Sequence, residues 1–245
     1  PDKKWSIPDE RSWLQTIPTN SLLAINDTTF ETAILHRLNW IQPFEYFCPL
    51  TQKNLNQLPR NEVAHHLNTC LHCGASSFRL RHELVAHAIV KTARYHLVTS
   101  EVNPTDLPLP GKKKGGPDFM FWGSTVYAGD VCITANNPAT VFANKKRKYI
   151  DFVKTTGATC LPFAMSVQGT IEPRSRELIH QVQHVFRLKG FAADVFRYST
   201  IACISGNALG IQRIQNRDPL VTLLNLQLAQ QNQSDDENDD LLEVD

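Results

Sequence analysis

Nowhere in the 245-residue chain do about 18 apolar residues run uninterrupted, which excludes a conventional membrane-spanning helix. The first ten residues, PDKKWSIPDE, contain no apolar stretch of the kind that serves as a signal peptide, so export is not expected. No internal repeat is visible. Cysteine is sparse: Cys48, Cys70, Cys73, Cys132, Cys160 and Cys203 are too few, without a secretory signal, to argue for a disulfide framework. Reduced thiols are expected, and because three of the six cluster with histidines, metal binding is favoured over disulfides. The chain opens on Pro1 rather than methionine and reads as a fragment of a longer polypeptide.

What is present suits a soluble globular protein, with 42% hydrophobic and 20% charged residues. A chain of this length can bury one substantial core plus a small satellite module. The formal net charge of +1 conceals an asymmetry. Seven of the 24 acidic residues fall in 235–245, where there is no lysine or arginine, so the remainder sets 25 basic side chains against 17 acidic ones. Such an acidic segment on a basic body reads as a disordered solvating tail, or as one that competes with nucleic acid for the basic surface.

Local patterns outline the elements. Asn26 or Asp27 can cap a first helix bearing Phe30, Ala33, Ile34, Arg37 and Leu38 at helical spacing. Residues 43–73 are irregular and rich in Cys, His and Asn. Residues 78–94 form an amphipathic helix with Leu84, Val85, Ala88, Ile89 and Ala93 on one face. A strand over 95–102, a Pro/Gly/Lys loop over 104–116 and two strands over 118–122 and 126–134 follow. A basic helix over about 139–154, a strand over 159–167 and two or three helices starting near Arg174, Ala192 and Asn207 complete the chain. This order predicts a mixed sheet flanked by helices, in the α/β class.

Asp118, preceded by Pro117, and Asp130 lie on consecutive strands joined by a short turn, with eleven residues between them. A hairpin can bring these carboxylates together. Close carboxylates repel, so such a pair stays ionised by holding a divalent cation, and hard oxygen ligands suit Mg²⁺ or Mn²⁺. The metal polarises a scissile phosphate and activates water. A lysine would complete the site by positioning that water or offsetting charge in the transition state. In restriction-enzyme-type nucleases it usually stands two residues after the second acid, where this chain has Cys132. The replacements lie in the basic helix: Lys148 first, then Lys145, which shares its helix face, then Lys146. The run Lys145-Lys146-Arg147-Lys148 also reads as a solvated face or a nuclear-import patch, consistent with a nuclear location.

Taken together, Arg81-His82-Glu83, Pro117-Asp118, Asp130 and Lys145-Lys146-Arg147-Lys148-Tyr149 resemble the restriction-like endonuclease domain, of PD-(D/E)XK type, in site-specific non-LTR retrotransposon polyproteins. Upstream, Ser12-Trp13-Leu14-Gln15-Thr16-Ile17-Pro18, Asn26-Asp27 and Arg37-Leu38 resemble the linker after the reverse transcriptase of such proteins. Downstream, Val167-Gln168-Gly169-Thr170-Ile171 and Gly206-Asn207-Ala208 resemble later segments, so the similarity spans about residues 11–210. It implies an endonuclease that nicks double-stranded target DNA to prime reverse transcription, partnered by the reverse transcriptase part of the same polyprotein and its RNA. It also implies that Asp118 and Asp130 bind metal, that Arg81 and His82 sit beside the site and that Glu83 is an auxiliary ligand. The organisation then reads as a helical linker arm (1–40), a Cys/His zinc-binding module (41–77), the endonuclease core (78–215), and a C-terminal helix with a disordered acidic tail (216–245).

Cys48, His65 or His66, Cys70 and Cys73 make a candidate tetrahedral zinc site, with His66 preferred. Relatives in that family show Cys-Pro-x-Cys, whereas here Thr51 stands at the second cysteine position and Cys73 is the replacement. His72, His87 and His96 read as surface or packing residues. The loop carrying Lys112, Lys113 and Lys114 leads into Pro117-Asp118, suiting it to grip phosphates, with Arg147 as a further DNA contact. The competing reading is a noncatalytic nucleic-acid-binding module with a degenerate nuclease site, for which Cys132 is the best argument.

Overall fold

The computed structural model describes residues 26–37, 41, 44–104 and 116–216. The N-terminal arm, the lysine loop with Lys112, Lys113 and Lys114, and the acidic C-terminal segment lie outside them. Helix α1 (Asp27–Arg37) begins as the sequence suggests, with Asn26 Oδ1 accepting the Thr29 amide at 2.8 Å. The short strands β1 (Phe47–Cys48) and β2 (Lys53–Asn54) pair antiparallel and lead into α2 (Arg60–Thr69) and α3 (Leu71–Tyr95). Next come β3 (Thr99–Val102), β4 (Phe119–Trp122), β5 (Tyr127–Thr134), α4 (Pro138–Lys148), α5 (Ile150–Thr156), β6 (Thr159–Ser166), α6 (Pro173–Val185) and α7 (Phe191–Gln215).

The expected mixed α/β architecture is present: β3-β4-β5-β6 form one four-stranded sheet flanked by helices. β3, β4 and β5 run antiparallel, while β6 returns parallel to β5 after the α4–α5 crossover, Tyr127 pairing with Thr159 and Thr134 with Ser166. Side chains alternate faces along a strand. Phe119, Phe121, Tyr127 and Val131 therefore enter the main core with α3, α6 and α7, and Met120 and Ala128 pack on Tyr149 and Phe152 at the opposite face. Asp130 and Cys132 share the face of Ala128, turned toward α4. The Phe119 ring lies so close over Gly129 that a Cβ there would come within 2.0 Å of it, so any side chain at this position would have to displace that buried ring.

Four boundaries differ from the sequence reading. The helix expected over 78–94 starts at Leu71, so it runs unbroken across the 77/78 division between module and core. Its end consumes Tyr95, and Leu97, at φ 62°, turns the chain before β3 can begin. The basic helix is interrupted at Tyr149, whose ring is fully buried, giving α4 and α5. Helices expected to start separately near Ala192 and Asn207 are one helix, α7. Glycine inside a helix costs about 1 kcal/mol relative to alanine, but Gly206 lets α7 meet α3 so closely that a Cβ would lie 2.5 Å from the Arg81 Cα. The packing gained by that approach offsets the propensity lost.

The Cys/His region is no isolated satellite. Leu55, Val63, Leu67, Cys48 and Cys73 share one apolar cluster with Ile211 and Ile214 from the end of α7.

Candidate active site and metal centre

Asp118 stands just before β4 and is bound to both neighbours of Asp130. Its amide donates to the Gly129 carbonyl at 2.8 Å, and its Oδ2 accepts the Val131 amide at 2.7 Å. The hairpin thus brings the two acids together, as their placement on consecutive strands suggested. His82 of α3 adds a third contact, its Nε2 lying 3.0 Å from Asp118 Oδ2 and 3.2 Å from the Val131 carbonyl oxygen. A carbonyl can only accept, so this nitrogen carries the hydrogen.

Asp130 is buried, at 2% exposure, and both Lys145 and Lys148 reach it. Lys145 Nζ donates to Oδ1 and Lys148 Nζ to Oδ2, the latter at 3.4 Å. These lysines stand three apart on α4 and therefore share its sheet-facing side. Lys145 is the more enclosed, its side chain 25% exposed against 37% for Lys148. The sequence preference for Lys148 is thus reversed on geometry: Lys145 makes the tighter contact. Lys146 and Arg147 are exposed and make no contact with either acid among the described residues. Tyr149 anchors the helix from below, its hydroxyl donating to the Gly116 carbonyl at 3.1 Å and its ring packing on Phe152.

The charges respond to these contacts. Burial works to raise the Asp118 carboxyl, but the His82 bond, the Val131 amide and Lys145 together hold it below the usual carboxylate range. The bond to Asp118 lifts His82 above the ordinary imidazole value, against the opposing pull of burial. Burial likewise opposes the Lys145 ammonium, yet Asp130 and Asp118 keep its pKa raised. Burial pushes the Cys132 thiol up, so beside these lysines it stays protonated.

The structure does not bring Arg81 and Glu83 to this centre. Successive helix positions are 100° apart, so only one of the three residues 81–83 can face the acid pair, and that one is His82. Arg81 is buried between α3 and α7, donating to Asn207 Oδ1 at 3.0 Å with its guanidinium 4.6 Å from the Phe78 ring centre. Asn207 in turn donates to the Val167 carbonyl at 2.6 Å. Glu83 accepts from exposed Arg79.

The second centre gathers Cys48 from β1, His66 from α2, Cys70 between α2 and α3, and Cys73 in the first turn of α3. All four are buried, with ligand atoms within 4.8 Å of one another. The donor set fits a metal ion such as zinc: three thiols and one imidazole, with His66 Nε2 buried and lacking a hydrogen-bond partner. Hydrogen bonds from Thr51 lower the Cys48 thiol despite burial, while burial raises Cys73 and keeps His66 neutral. Thr51 thus bonds to Cys48, and Cys73 is the third thiol of the cluster. His65 is exposed and outside the cluster, because adjacent positions of α2 cannot both point inward.

Sequence reasoning missed the roles of Val131, whose backbone binds both Asp118 and His82, and of Asn207. Backbone contacts leave no trace in residue type. No protein-family model matches this chain, and comparison with curated proteins gives no match.

Proposed function

We propose that this chain is a divalent-metal-dependent DNA endonuclease with a restriction-like core, nicking double-stranded target DNA to prime reverse transcription by the polyprotein it resembles. The observation that carries this reading is the bracketing of Asp130 by Asp118, with Lys145 on the same carboxylate. Asp118 and Asp130 would hold Mg²⁺ or Mn²⁺, which supplies Lewis-acid activation of the phosphate and of the attacking water. Lys145, reaching in from α4, takes the place of the strand lysine absent at Cys132 and offsets phosphate charge, with Lys148 beside it. His82 fixes the Asp118 carboxylate through Nε2, and Tyr149 holds α4 against the sheet. The Cys48/His66/Cys70/Cys73 centre would carry Zn²⁺ as a structural ion. The lysine loop at 112–114 and Arg147 supply phosphate contacts, and the reverse transcriptase part with its RNA is the partner, in the nucleus.

The test is nicking of supercoiled plasmid in Mg²⁺ or Mn²⁺ by the native chain and by Asp118→Ala. Conversion to open circle by the native chain alone supports the proposal; no conversion under any divalent metal overturns it. A noncatalytic DNA-binding module is the second reading, favoured by Cys132 and by the two lysines that already neutralise Asp130.

A further inference from the structure

Two ammonium groups share the buried Asp130 carboxylate, and they hold it unequally. Lys145 Nζ donates to Oδ1 from the more enclosed position, whereas Lys148 Nζ reaches Oδ2 at 3.4 Å from a side chain 37% exposed. The Lys148 ammonium also lies 5.1 Å from the centre of the Tyr149 ring, so the carboxylate is not its only support. Lys145 is built into the site, and Lys148 rests at its rim.

The groups that face the acid pair come from several elements. Asp118 stands before β4 and His82 on α3, Lys145 and Lys148 come from α4, and Cys132 follows two residues after Asp130 with its thiol protonated. Even with the imidazole neutral, two carboxylates and two ammonium groups carry no net charge. The donor set suits a hard divalent cation, since Asp118 Oδ1 takes no hydrogen bond among the described residues and the Lys148 contact on Asp130 Oδ2 is long. The electrostatic attraction for such an ion is cancelled by the two lysines. Releasing one of them restores a net charge of −1, and Lys148 is the one with the weaker hold. Beside it, Lys146 and Arg147 are exposed, so a phosphodiester backbone drawn along α4 brings an anion that competes with Asp130 for the Lys148 ammonium.

We infer that Lys148 is a positioning residue that couples cation binding to substrate: it neutralises Asp130 in the free chain and passes to a DNA phosphate when the backbone lies along α4. The acid pair then becomes negative and holds the divalent ion. The inference rests on the nuclease reading for its substrate. Coupling between two ligands is reciprocal, so whatever factor DNA adds to the affinity for the ion, the ion adds to the affinity for DNA. A free chain therefore stays weakly loaded, and the cation is gathered where a phosphate is present to be cut.

The test reads binding, not cleavage. Mn²⁺ is titrated into the full chain without DNA and followed by the loss of its free-ion EPR signal, with Asp118→Ala subtracting all other sites. Lys148→Met should bind Mn²⁺ about tenfold more tightly than the native chain, within the range of coupled sites, and the gain should disappear when Asp118→Ala is added. Lys148→Gln should behave as Lys148→Met does. In the second arm, a fluorescent DNA duplex is titrated with and without Ca²⁺ at constant ionic strength. Ca²⁺ should tighten retention by the native chain about tenfold further than retention by Lys148→Met. Mn²⁺ affinity that is unchanged or lower in both variants overturns the coupling, as does equal tightening by Ca²⁺ in native and variant chains. Either result, with plasmid nicking by the native chain, leaves the nuclease reading standing. The expected affinities without any nicking would sustain the coupling and defeat the nuclease reading. Mn²⁺ binding that does not depend on Asp118 in any chain would defeat both.

Discussion

The Asp118 carboxylate accepts the backbone amide of Val131, the residue after Asp130, at 2.7 Å. One acid therefore helps to hold the strand that presents the other, and removal of the Asp118 side chain has a structural as well as a chemical effect.

Asp118→Asn separates the two effects, since it retains an acceptor for Val131 while removing the charge a cation needs. It should abolish nicking, with at least a 10²-fold loss, yet retain DNA and, above the pH at which His82 titrates, unfold at nearly the native denaturant midpoint. Asp130→Ala should be equally inactive, and wild-type rates in either variant would remove the metal pair from the mechanism.

Replacing Lys145 by alanine should slow nicking by about 10²-fold, as for other preorganised charges, with little change in DNA retention. Lys148→Ala should cost less, because its contact with Asp130 is longer and more exposed. Lys146→Ala should leave the rate alone and lower the salt dependence of binding by about one counterion. Single-turnover rates and salt-titrated binding distinguish these outcomes, and equal effects from all three would refute the placement.

Purified protein should hold one zinc per chain. Structural zinc contributes on the order of 10 kcal/mol to its module, and the cluster around it includes Ile211 and Ile214 of α7. Chelation should therefore loosen the end of α7 as well as α2, seen as faster amide exchange in both. His66→Ala should lose the metal while His65→Ala keeps it, by elemental analysis.

Asn207→Ala should destabilise the protein by about 1–3 kcal/mol, because it leaves the buried Arg81 guanidinium and the Val167 carbonyl without their shared partner. Gly206→Ala should cost a similar amount, since its Cβ meets helix backbone that cannot swing aside. Urea titrations measure both.

Without added divalent metal, the His82–Asp118 pair should give stability a maximum in mildly acidic solution. His82 is raised in the fold, so its contribution is complete below the unfolded value near 6.5 and is lost as pH rises through the folded one. Asp118 is lowered, so its contribution is present above about 3.9 and lost as pH falls. Subtracting the His82→Phe melting profile from that of the native chain should leave a difference concentrated between about pH 4 and 6.5; a flat difference would deny the coupling.

Local chemistry made part of this molecule legible in advance. Alternation and turn residues marked β4 and β5, helical spacing marked α3, and two acids on consecutive strands marked the hairpin site. The Cys/His composition of 48–73 marked a cluster that could hold a metal, His66, Cys70 and Cys73 being neighbours within a few residues. The sequence by itself determined which residue types were available and, for the acid pair on the hairpin and the lysines on the basic helix, on which element each would ride. It left His66 and Cys73 in a stretch read as irregular that is in fact α2 and the start of α3. Only the tertiary structure decided which of them meet. His82 rather than Arg81 or Glu83 faces Asp118 because α3 is rotated by its contact with α7 at Gly206. Lys145 reaches Asp130 more closely than Lys148 because buried Tyr149 ends α4 where it does. His66 rather than His65 turns inward because α2 packs Val63 and Leu67 against α7. Each outcome follows from how helices settle on a shared core, a balance summed over contacts far apart in the chain that no short window of sequence contains.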